Sequence, residues 1–273
     1  MARIVPARHH GTIKRLQRNL RAGGAASIPE DPAELFASAT GHTPTPWQKE
    51  ILRSTAPQVA LNISRQGGKS TMTAVKALHV ALKHPESLVL LAAPGQKQAM
   101  ELHHKCRTFY RRLEQPLGDH GDSAVALQFG NNSRILALSG NPDTTRGYSA
   151  PRLVVVDEAS RVLDELMITL RPMLAASPEG AQLVALSTPA GKRGWWYHDV
   201  WADETDPSWK RYKVPATEIP WISKDFLDRE LYALGQAAFE EEFLCIFGSG
   251  NAGVFDPAQI AAAHDDECPI FNF

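Results

Sequence analysis

From residue 57 onward, short apolar runs alternate with stretches that have the composition and spacing of helices. Apolar runs of strand length occupy residues 58–64, 87–93, 153–156 and 182–186, and helical stretches occupy residues 68–83, 96–113 and 163–175. Strands that are apolar on both faces and connected by helices are typical of a parallel sheet covered on both sides. The alternation therefore predicts an α/β domain with a mainly parallel sheet flanked by helices.

Two regions depart from this alternation. Residues 125–129 and 134–138 are separated by Gly130-Asn131-Asn132-Ser133, which predicts a β-hairpin. Residues 223–246 are rich in helix formers and acidic residues, and we expect a small helical appendage there. With 273 residues, the chain is long enough for one large domain with such an appendage.

The turn after the first apolar run has the sequence Ser64-Arg65-Gln66-Gly67-Gly68-Lys69-Ser70. Its place between a strand and a helix is typical of a phosphate-binding loop. Gly67 and Gly68 allow backbone N–H groups to approach phosphates, and the helix N-terminus adds the positive end of its dipole. We expect Lys69 to reach the β and γ phosphates of ATP, and Ser70 to place its hydroxyl on Mg²⁺.

This loop departs from the usual spacing, which has a further glycine five residues before Gly68. Ile63 occupies that position. Taken alone, the segment also fits a turn followed by a helix that begins near a serine.

Two carboxylates, Asp157 and Glu158, directly follow the apolar run at residues 153–156. Ligands of open α/β sheets bind at the carboxyl ends of the strands. We expect Asp157 to hold Mg²⁺ through water, and Glu158 to orient and deprotonate the attacking water. Lys69 lies 88 positions before Asp157, which leaves room for an intervening strand. Loop and acids together predict a P-loop NTPase of the Glu-containing, RecA-like branch, whereas solvated acids capping a helix explain neither feature.

Together these residues match a family. The Ser-Arg-Gln-x-Gly-Lys-Ser loop without the first glycine resembles that of phage large terminase subunits, and the resemblance covers residues 43–256. These proteins are DNA-packaging motors with an N-terminal ATPase and a C-terminal nuclease of RNase H-like fold. The resemblance implies that ATP and Mg²⁺ power the packaging of double-stranded viral DNA into a procapsid. It also implies a portal protein and a small terminase subunit as partners, and a homo-oligomeric ring in the bacterial cytoplasm.

The segment Thr45-Pro46-Trp47-Gln48 resembles the motif with which this family contacts adenine. The amide of Gln48 can donate to and accept from the adenine edge, whereas we expect Trp47 mainly to pack. The residues expected to bind ATP are Gln48, Ser64, Arg65, Gln66, Gly67, Gly68, Lys69, Ser70 and Thr71.

Two arginines are candidate catalytic residues beside Glu158, because a guanidinium can stabilise the charge of the transition state. Arg65 lies within the phosphate loop, so it can act only on its own subunit's nucleotide or on the shape of the loop. Arg146 precedes the acidic strand and resembles the arginine finger that acts on a neighbouring subunit's ATP. The alternative for Arg146 is a surface arginine paired with Asp143.

The resemblance also implies roles for segments in the C-terminal part of the chain. Ser187-Thr188-Pro189 resembles the coupling motif that senses the γ-phosphate and relays hydrolysis to movement. Residues 239–248 resemble the lid, and residues 253–255 the linker to the nuclease. We therefore divide the chain into a basic arm (1–30), an ATPase core (31–218), a helical lid subdomain (219–250) and a linker toward an absent nuclease domain (251–273).

Carboxylates are sparse at the C-terminal end. Residues 248–273 contain Asp256, Asp265, Asp266 and Glu267, without a strand pattern around them. Because a two-metal nuclease needs several converging carboxylates, we expect no nuclease activity from this chain.

The charge of the chain limits how it can contact DNA. The net charge of −1 is low for a protein that coats DNA, so we expect a local patch or another domain to make the contact. Residues 1–27 hold six Lys and Arg and no Asp or Glu. They fit a solvated arm, or a segment that touches DNA phosphates or a partner.

Other features exclude classes of protein. The cysteines form no CxxC pair, so we expect no zinc site or disulfide framework. No apolar run approaches the ~18 residues that span a bilayer, and residues 1–27 lack the apolar core of a signal peptide.

We expect Glu240, Glu241 and Glu242 to form a solvated helix face. Trp195, Trp196 and Trp201 fit core packing or, alternatively, a surface for a partner or for DNA.

Two other functions stay open at this stage. A helicase-like translocase would share the Trp-Gln, Gly-Lys-Ser and Asp-Glu elements, but it would carry a second motor domain for which no room remains after residue 247. A nucleotide-binding regulator or inactive remnant would be marked by loss of Lys69 or Glu158, and both are present.

Overall fold

The computed structural model describes residues 28–118, 123–138, 140, 145 and 147–248. The strands are β1 (Gln58–Ile63), β2 (Leu88–Ala92), β3 (Ala126–Gln128), β4 (Arg134–Ala137), β5 (Leu153–Asp157), β6 (Gln182–Ser187) and β7 (Lys210–Val214). The helices are α1 (Pro32–Thr40), α2 (Pro46–Arg53), α3 (Lys69–Lys83), α4 (Gln96–Arg112), α5 (Asp164–Met173), α6 (Lys224–Leu234) and α7 (Gln236–Leu244).

The strands form one seven-stranded sheet in the order β3-β4-β2-β5-β6-β1-β7. Every neighbouring pair is parallel except β3 and β4, which form the antiparallel hairpin expected from the sequence. Strand β6 lies between β1 and β5, with Ser187 opposite Asn62 and Leu186 opposite Asp157. The strand between them in the sheet thus follows Asp157 in sequence, whereas the stretch from Lys69 to Asp157 contains β2, β3 and β4. The predicted parallel α/β fold is confirmed.

Alternate residues of each central strand point to opposite faces of the sheet. On one face, Leu61 and Val155 belong to a core with α1 to α4. On the other face, Val154 and Ala185 belong to a core with α5 and a tryptophan cluster. Because both faces are covered, these strands carry the uninterrupted apolar runs seen in the sequence.

The tryptophan cluster confirms the core-packing interpretation. Trp195, Trp196 and Trp201 are all buried, together with Trp209. Edge-to-face contacts join Trp195 to Trp196 and Trp196 to Trp201, with ring centroids 5.7 and 5.8 Å apart. A π-helical turn at Trp196–Trp201 places these rings on the sheet.

Three elements were not predicted from the sequence. Helix α1 begins at an Asp31 cap with proline in its first turn, and it ends at Gly41, whose φ of 76° is left-handed. Helix α2 begins with a capping box between Thr45 and Gln48. Strand β7 has the sequence KRYKV, and its charged residues are tolerated because it is an edge strand.

The predicted helical appendage forms the helices α6 and α7. Its own apolar cluster is small, with Ala216, Leu227, Phe239 and Phe243 at its centre. Within the described part of the chain, no helix is both long and apolar enough to span a membrane.

Candidate nucleotide site at the sheet edge

The candidate phosphate loop connects the carboxyl end of β1 to the start of α3. The Ser64 N–H donates to the carbonyl oxygen of Val214 at 3.0 Å, and the Gly67 N–H donates to the carbonyl oxygen of Ser64 at 3.2 Å. Gly68 is the N-cap of α3 and provides no side chain to accept from the first N–H groups of the helix. A helix start of this kind is suited to an anion such as phosphate.

The glycines of the loop are required by its geometry. A Cβ atom at position 67 would lie 2.6 Å from Cγ2 of Ile63, which is closer than carbon atoms pack. Ile63 therefore occupies the position of the usual first glycine and packs directly beneath Gly67. Gly68 has a φ of 79°, in the left-handed region where glycine is favoured.

The loop and the acidic strand end meet as the sequence predicted. The hydroxyl of Ser70 donates to Oδ2 of Asp157 at 3.4 Å, and the N–H of Glu158 donates to Oδ1 of Asp157 at 2.9 Å. Lys69 is buried beside them at the first position of α3. A lysine, a hydroxyl and two carboxylates are thus brought together by β1, α3 and β5.

Burial raises the pKa of Asp157, and the neighbouring Glu158 carboxylate raises it further, while the Lys69 ammonium opposes both effects. A divalent cation would relieve this clustering of buried negative charge. Mg²⁺ prefers oxygen ligands and commonly takes one or two from the protein, with the rest from water and phosphates. The Ser70 hydroxyl and the Asp157 carboxylate fit that requirement.

Glu158 stands at the turn directly after β5 and has a φ of 51°. Such a left-handed conformation is uncommon outside glycine and clusters at functional sites. Its side chain is about one-third exposed, and its Oε2 lies 4.0 Å from Nε of Arg161. Sequence reasoning missed Arg161, although its position three residues after Glu158 was a local signal.

The predicted coupling motif lies at the same edge of the sheet. Ser187 ends β6, and its hydroxyl is 2.7 Å from that of Ser160, in the turn after Glu158. The hydroxyl of Thr188 donates to Oε2 of Glu242 at 3.1 Å. The motif therefore contacts both the acidic turn and helix α7.

Glu242 on α7 also contacts the phosphate loop. Its carbonyl oxygen accepts from the Arg65 N–H at 2.8 Å. Its Oε1 lies 3.7 Å from Nη1 of Arg65 and 3.6 Å from Nη2 of Arg161. Helix α7, part of the predicted lid, thus touches the loop through its backbone and through a charged side chain.

The prediction of a solvated acidic face at Glu240–Glu242 is therefore wrong for two of its three residues. Glu241 accepts from the N–H groups of Gly191 at 2.8 Å and Gly248 at 3.2 Å through Oε1. Three consecutive glutamates on a helix give no local sign of partners that lie about 50 or more residues away in sequence, as Gly191 and Arg65 do.

Gln48 lies against the phosphate loop, but part of its amide is engaged. Its Oε1 accepts from the N–H of Thr45 at 2.9 Å as part of the α2 capping box. Its Nε2 faces Gly68, where a Cβ atom would lie 3.5 Å away. The donor side of the amide is thus the one directed at the loop.

Trp221 is an aromatic neighbour of the loop that sequence reasoning missed. Its Nε1 donates to the carbonyl oxygen of Gln66 at 2.9 Å. Its Cζ2 lies 3.7 Å from the position of a Cβ at Gly68, the position that Nε2 of Gln48 also approaches. The residue is 52% exposed, whereas tryptophan is on average a highly buried residue.

All expected site residues except Arg146 are described, and Thr71 lies in the first turn of α3. Arg146, the basic segment at residues 1–27 and the acidic residues of 251–273 lie outside the described part of the chain. In that described part, no three His, Cys, Asp or Glu side chains are grouped to hold a metal ion.

A phosphate loop after β1, paired acids after β5 and a strand between them define a P-loop NTPase domain of the Glu-containing branch. The family described as "Terminase large subunit, ATPase domain" matches residues 47–203, which is more than half of the chain. The chain belongs to this family.

Solved structures agree on the fold. The large terminase ATPase domain of Thermus phage P74-26 has a TM-score of 0.66 at 20% identity, over 81% of this chain and 100% of that one. The large terminase of a thermophilic bacteriophage, in complex with ADP, has a TM-score of 0.63 at 12% identity, over 74% and 53%. The HK97 bacteriophage large terminase has a TM-score of 0.62 at 16% identity, over 80% and 55%.

The present chain therefore spans the whole of the P74-26 ATPase domain, but only about half of the other two terminases. Comparison with curated proteins finds no match.

Proposed function

We propose that this domain hydrolyses ATP and that hydrolysis drives double-stranded viral DNA into a procapsid. The observation that carries the proposal is the meeting of Lys69, Ser70, Asp157 and Glu158 at one edge of the sheet. Family membership supports the link to packaging.

Each residue has a distinct role in this proposal. The Lys69 ammonium and the N–H groups at the start of α3 bind the β and γ phosphates. The Glu158 carboxylate accepts a proton from the attacking water. Mg²⁺, held by Ser70 and Asp157, would neutralise phosphate charge. Ser187 and Thr188 pass the change at the γ-phosphate to the lid.

Gln48 and Trp221 are proposed to recognise the base. Both lie within 4 Å of the position of a Cβ at Gly68, next to the start of α3 where the phosphates would bind. The half-exposed Trp221 indole offers a surface on which a base can stack. The Gln48 Nε2 group can donate to a ring nitrogen, since its Oε1 accepts within the α2 cap.

The proposed partners are double-stranded DNA, a portal protein and a small terminase subunit, with assembly into a ring on a procapsid in the host cytoplasm. In such a ring, Arg146 would act on the neighbour's ATP. Mixed Arg146→Ala and Glu158→Gln subunits should then regain part of their activity, because some interfaces combine an intact arginine with an intact carboxylate. No recovery in demonstrated mixed rings would place Arg146 within its own subunit.

The test of the proposed activity is Mg²⁺-dependent ATP hydrolysis, with and without double-stranded DNA. Glu158→Gln should retain ATP binding and lose about 10²-fold or more of turnover, which is the size of a general-base contribution. Lys69→Ala should instead weaken binding itself, because a charged partner of the phosphates is removed. Turnover at the wild-type rate in Glu158→Gln would sink the assignment.

We further propose that this chain does not cleave DNA. The expected result is intact supercoiled plasmid after incubation with the purified protein and Mg²⁺ or Mn²⁺. Metal-dependent nicking that disappears on mutation of Asp256 or Asp265 would contradict it. Strand displacement on a forked duplex would instead favour the helicase-like alternative.

A further inference from the structure

Glu242 joins the three segments from which the ATP site is built. Its Oε1 faces Arg65 in the phosphate loop and Arg161 after the acidic strand, at 3.7 and 3.6 Å. Its Oε2 accepts from Thr188 in the coupling motif at 3.1 Å. The side chain is 18% exposed, whereas both arginines are more than half exposed. One carboxylate of the lid therefore contacts the phosphate loop, the acidic turn and the coupling motif at once.

The charges around Glu242 suggest a competition. Arg161 lies between Glu242 and Glu158, at 3.6 and 4.0 Å from their carboxylates. Arg65 is part of the loop that would hold the phosphates, and its Nη1 lies 3.7 Å from Oε1 of Glu242. A guanidinium prefers bidentate contact with phosphate, and a γ-phosphate brings more negative charge than a carboxylate. Bound ATP and Glu242 would thus compete for the same arginines.

We propose that Glu242 is a positioning residue that holds Arg65 and Arg161 when no nucleotide is bound and yields them to the γ-phosphate when ATP binds. When ATP is bound, α7 still contacts the core through Thr188 and the Arg65 N–H, but its two ion pairs are lost. The position of the lid thereby depends on which nucleotide occupies the site. This inference rests on the proposed ATPase function and assigns its lid a specific residue.

Glu242→Gln tests the competition with little change in shape. The amide oxygen can still accept from Thr188, but the charge that holds the arginines is lost. Because the carboxylate no longer competes, affinity for a non-hydrolysable ATP analogue should rise by about two- to fivefold, the range for exposed ion pairs. A purely structural role for Glu242 predicts the opposite, namely weaker binding.

Glu240→Gln is the matched control. It removes the same charge from a residue two positions before Glu242 on α7. The Glu240 carboxylate accepts from Gln236, and in the described part of the chain it forms no ion pair with an arginine. A long-range field effect would raise affinity in both variants alike. Affinity that rises only in Glu242→Gln supports direct competition.

A double-mutant cycle with Arg161→Gln identifies the partner. If Glu242 acts through Arg161, the gain from Glu242→Gln should shrink in the Arg161→Gln background. Hydrogen exchange of α6 and α7 gives a second measurement. Addition of the analogue should change the exchange of α7 in the wild type, and clearly less in Glu242→Gln. Should Glu242→Gln fail to fold, Arg161→Gln alone should also reduce that change.

The outcomes separate this inference from the proposed function. If the wild type binds and hydrolyses ATP while Glu242→Gln behaves like Glu240→Gln, the role of Glu242 is overturned and the function stands. If the wild type binds no ATP, both are overturned.

Discussion

The core and the proposed lid (residues 219–250, with α6 and α7) hold their proposed functional side chains in different ways. Lys69 and Asp157 are each 8% exposed and stand on elements that are buried in the two cores of the sheet. Glu242 and Trp221 belong to the region around α6 and α7, which packs on the small cluster of Phe239 and Phe243. The proposed chemistry is thus built on rigid elements, and the proposed coupling on a weakly packed one.

The lid contacts the core through polar groups near the phosphate loop and through the Phe247 ring, which packs against Tyr197 and Trp201. The Asn62 side chain donates to the carbonyl oxygen of Cys245 at 3.0 Å, and the Cys245 thiol lies 3.4 Å from the carbonyl oxygen of Val214. Segments that move in response to ligands come from the least stable parts of a fold. We therefore expect the lid to shift while the sheet edge keeps its geometry.

The largest expected effect comes from removing one buried side chain from each region. Leu78→Ala on α3 should lower the free energy of unfolding of the whole domain by about 2–5 kcal/mol. Phe243→Ala should cost a similar amount within the lid, by removing a ring that packs 5.4 Å from that of Phe239. Thermal unfolding should show the first effect, and faster hydrogen exchange limited to α6 and α7 the second.

The contrast between core and lid is wrong if Leu78→Ala and Phe243→Ala lower the unfolding midpoint equally, because the lid would then unfold together with the core. Phe226→Leu is a mild control, since Phe226 is only partly buried beside the same cluster. It should change exchange in α6 and α7 less than Phe243→Ala does.

A second prediction concerns a buried cation of the core. Lys76 on α3 donates to the carbonyl oxygens of Ile51, Leu52 and Ser54, at the end of α2. Burial lowers the pKa of Lys76 from 10.5 to about 8. Between these values the unfolded chain binds the proton and the folded chain releases it, so the contribution of Lys76 to stability rises with pH.

The measurement is the free energy of unfolding of wild type and Lys76→Met between pH 7 and pH 10. Their difference should shift in favour of the wild type above pH 8, by at most about 1.4 kcal/mol per pH unit. A difference that stays flat with pH would show that the three carbonyl acceptors hold the ammonium charged throughout. Hydrogen exchange of α6 and α7 should be the same in Lys76→Met as in the wild type at each pH.

The same contrast separates what the sequence could reveal from what it could not. The loop at Gly67–Ser70 and the acids at Asp157 and Glu158 are contiguous motifs, each at the end of an apolar strand, so local patterns were sufficient. The roles of Glu242 and Trp221 depend on partners 177 and 155 residues away in sequence, namely Arg65 and Gln66. Strand β7 was not predicted because an edge strand does not need a run of apolar residues.

The smallest expected effect concerns Trp221, which is 52% exposed at the boundary between lid and core. Base stacking on an aromatic ring contributes about 1–3 kcal/mol, and exposure favours the lower end, so Trp221→Ala should weaken ATP binding by about five- to tenfold. Affinity for inorganic tripolyphosphate, which has no base, should stay unchanged. Trp221→Phe should keep most of the ATP affinity because it retains a ring for stacking, although it loses the hydrogen bond to Gln66. Equal losses for ATP and tripolyphosphate would show that Trp221 shapes the phosphate loop and does not recognise the base.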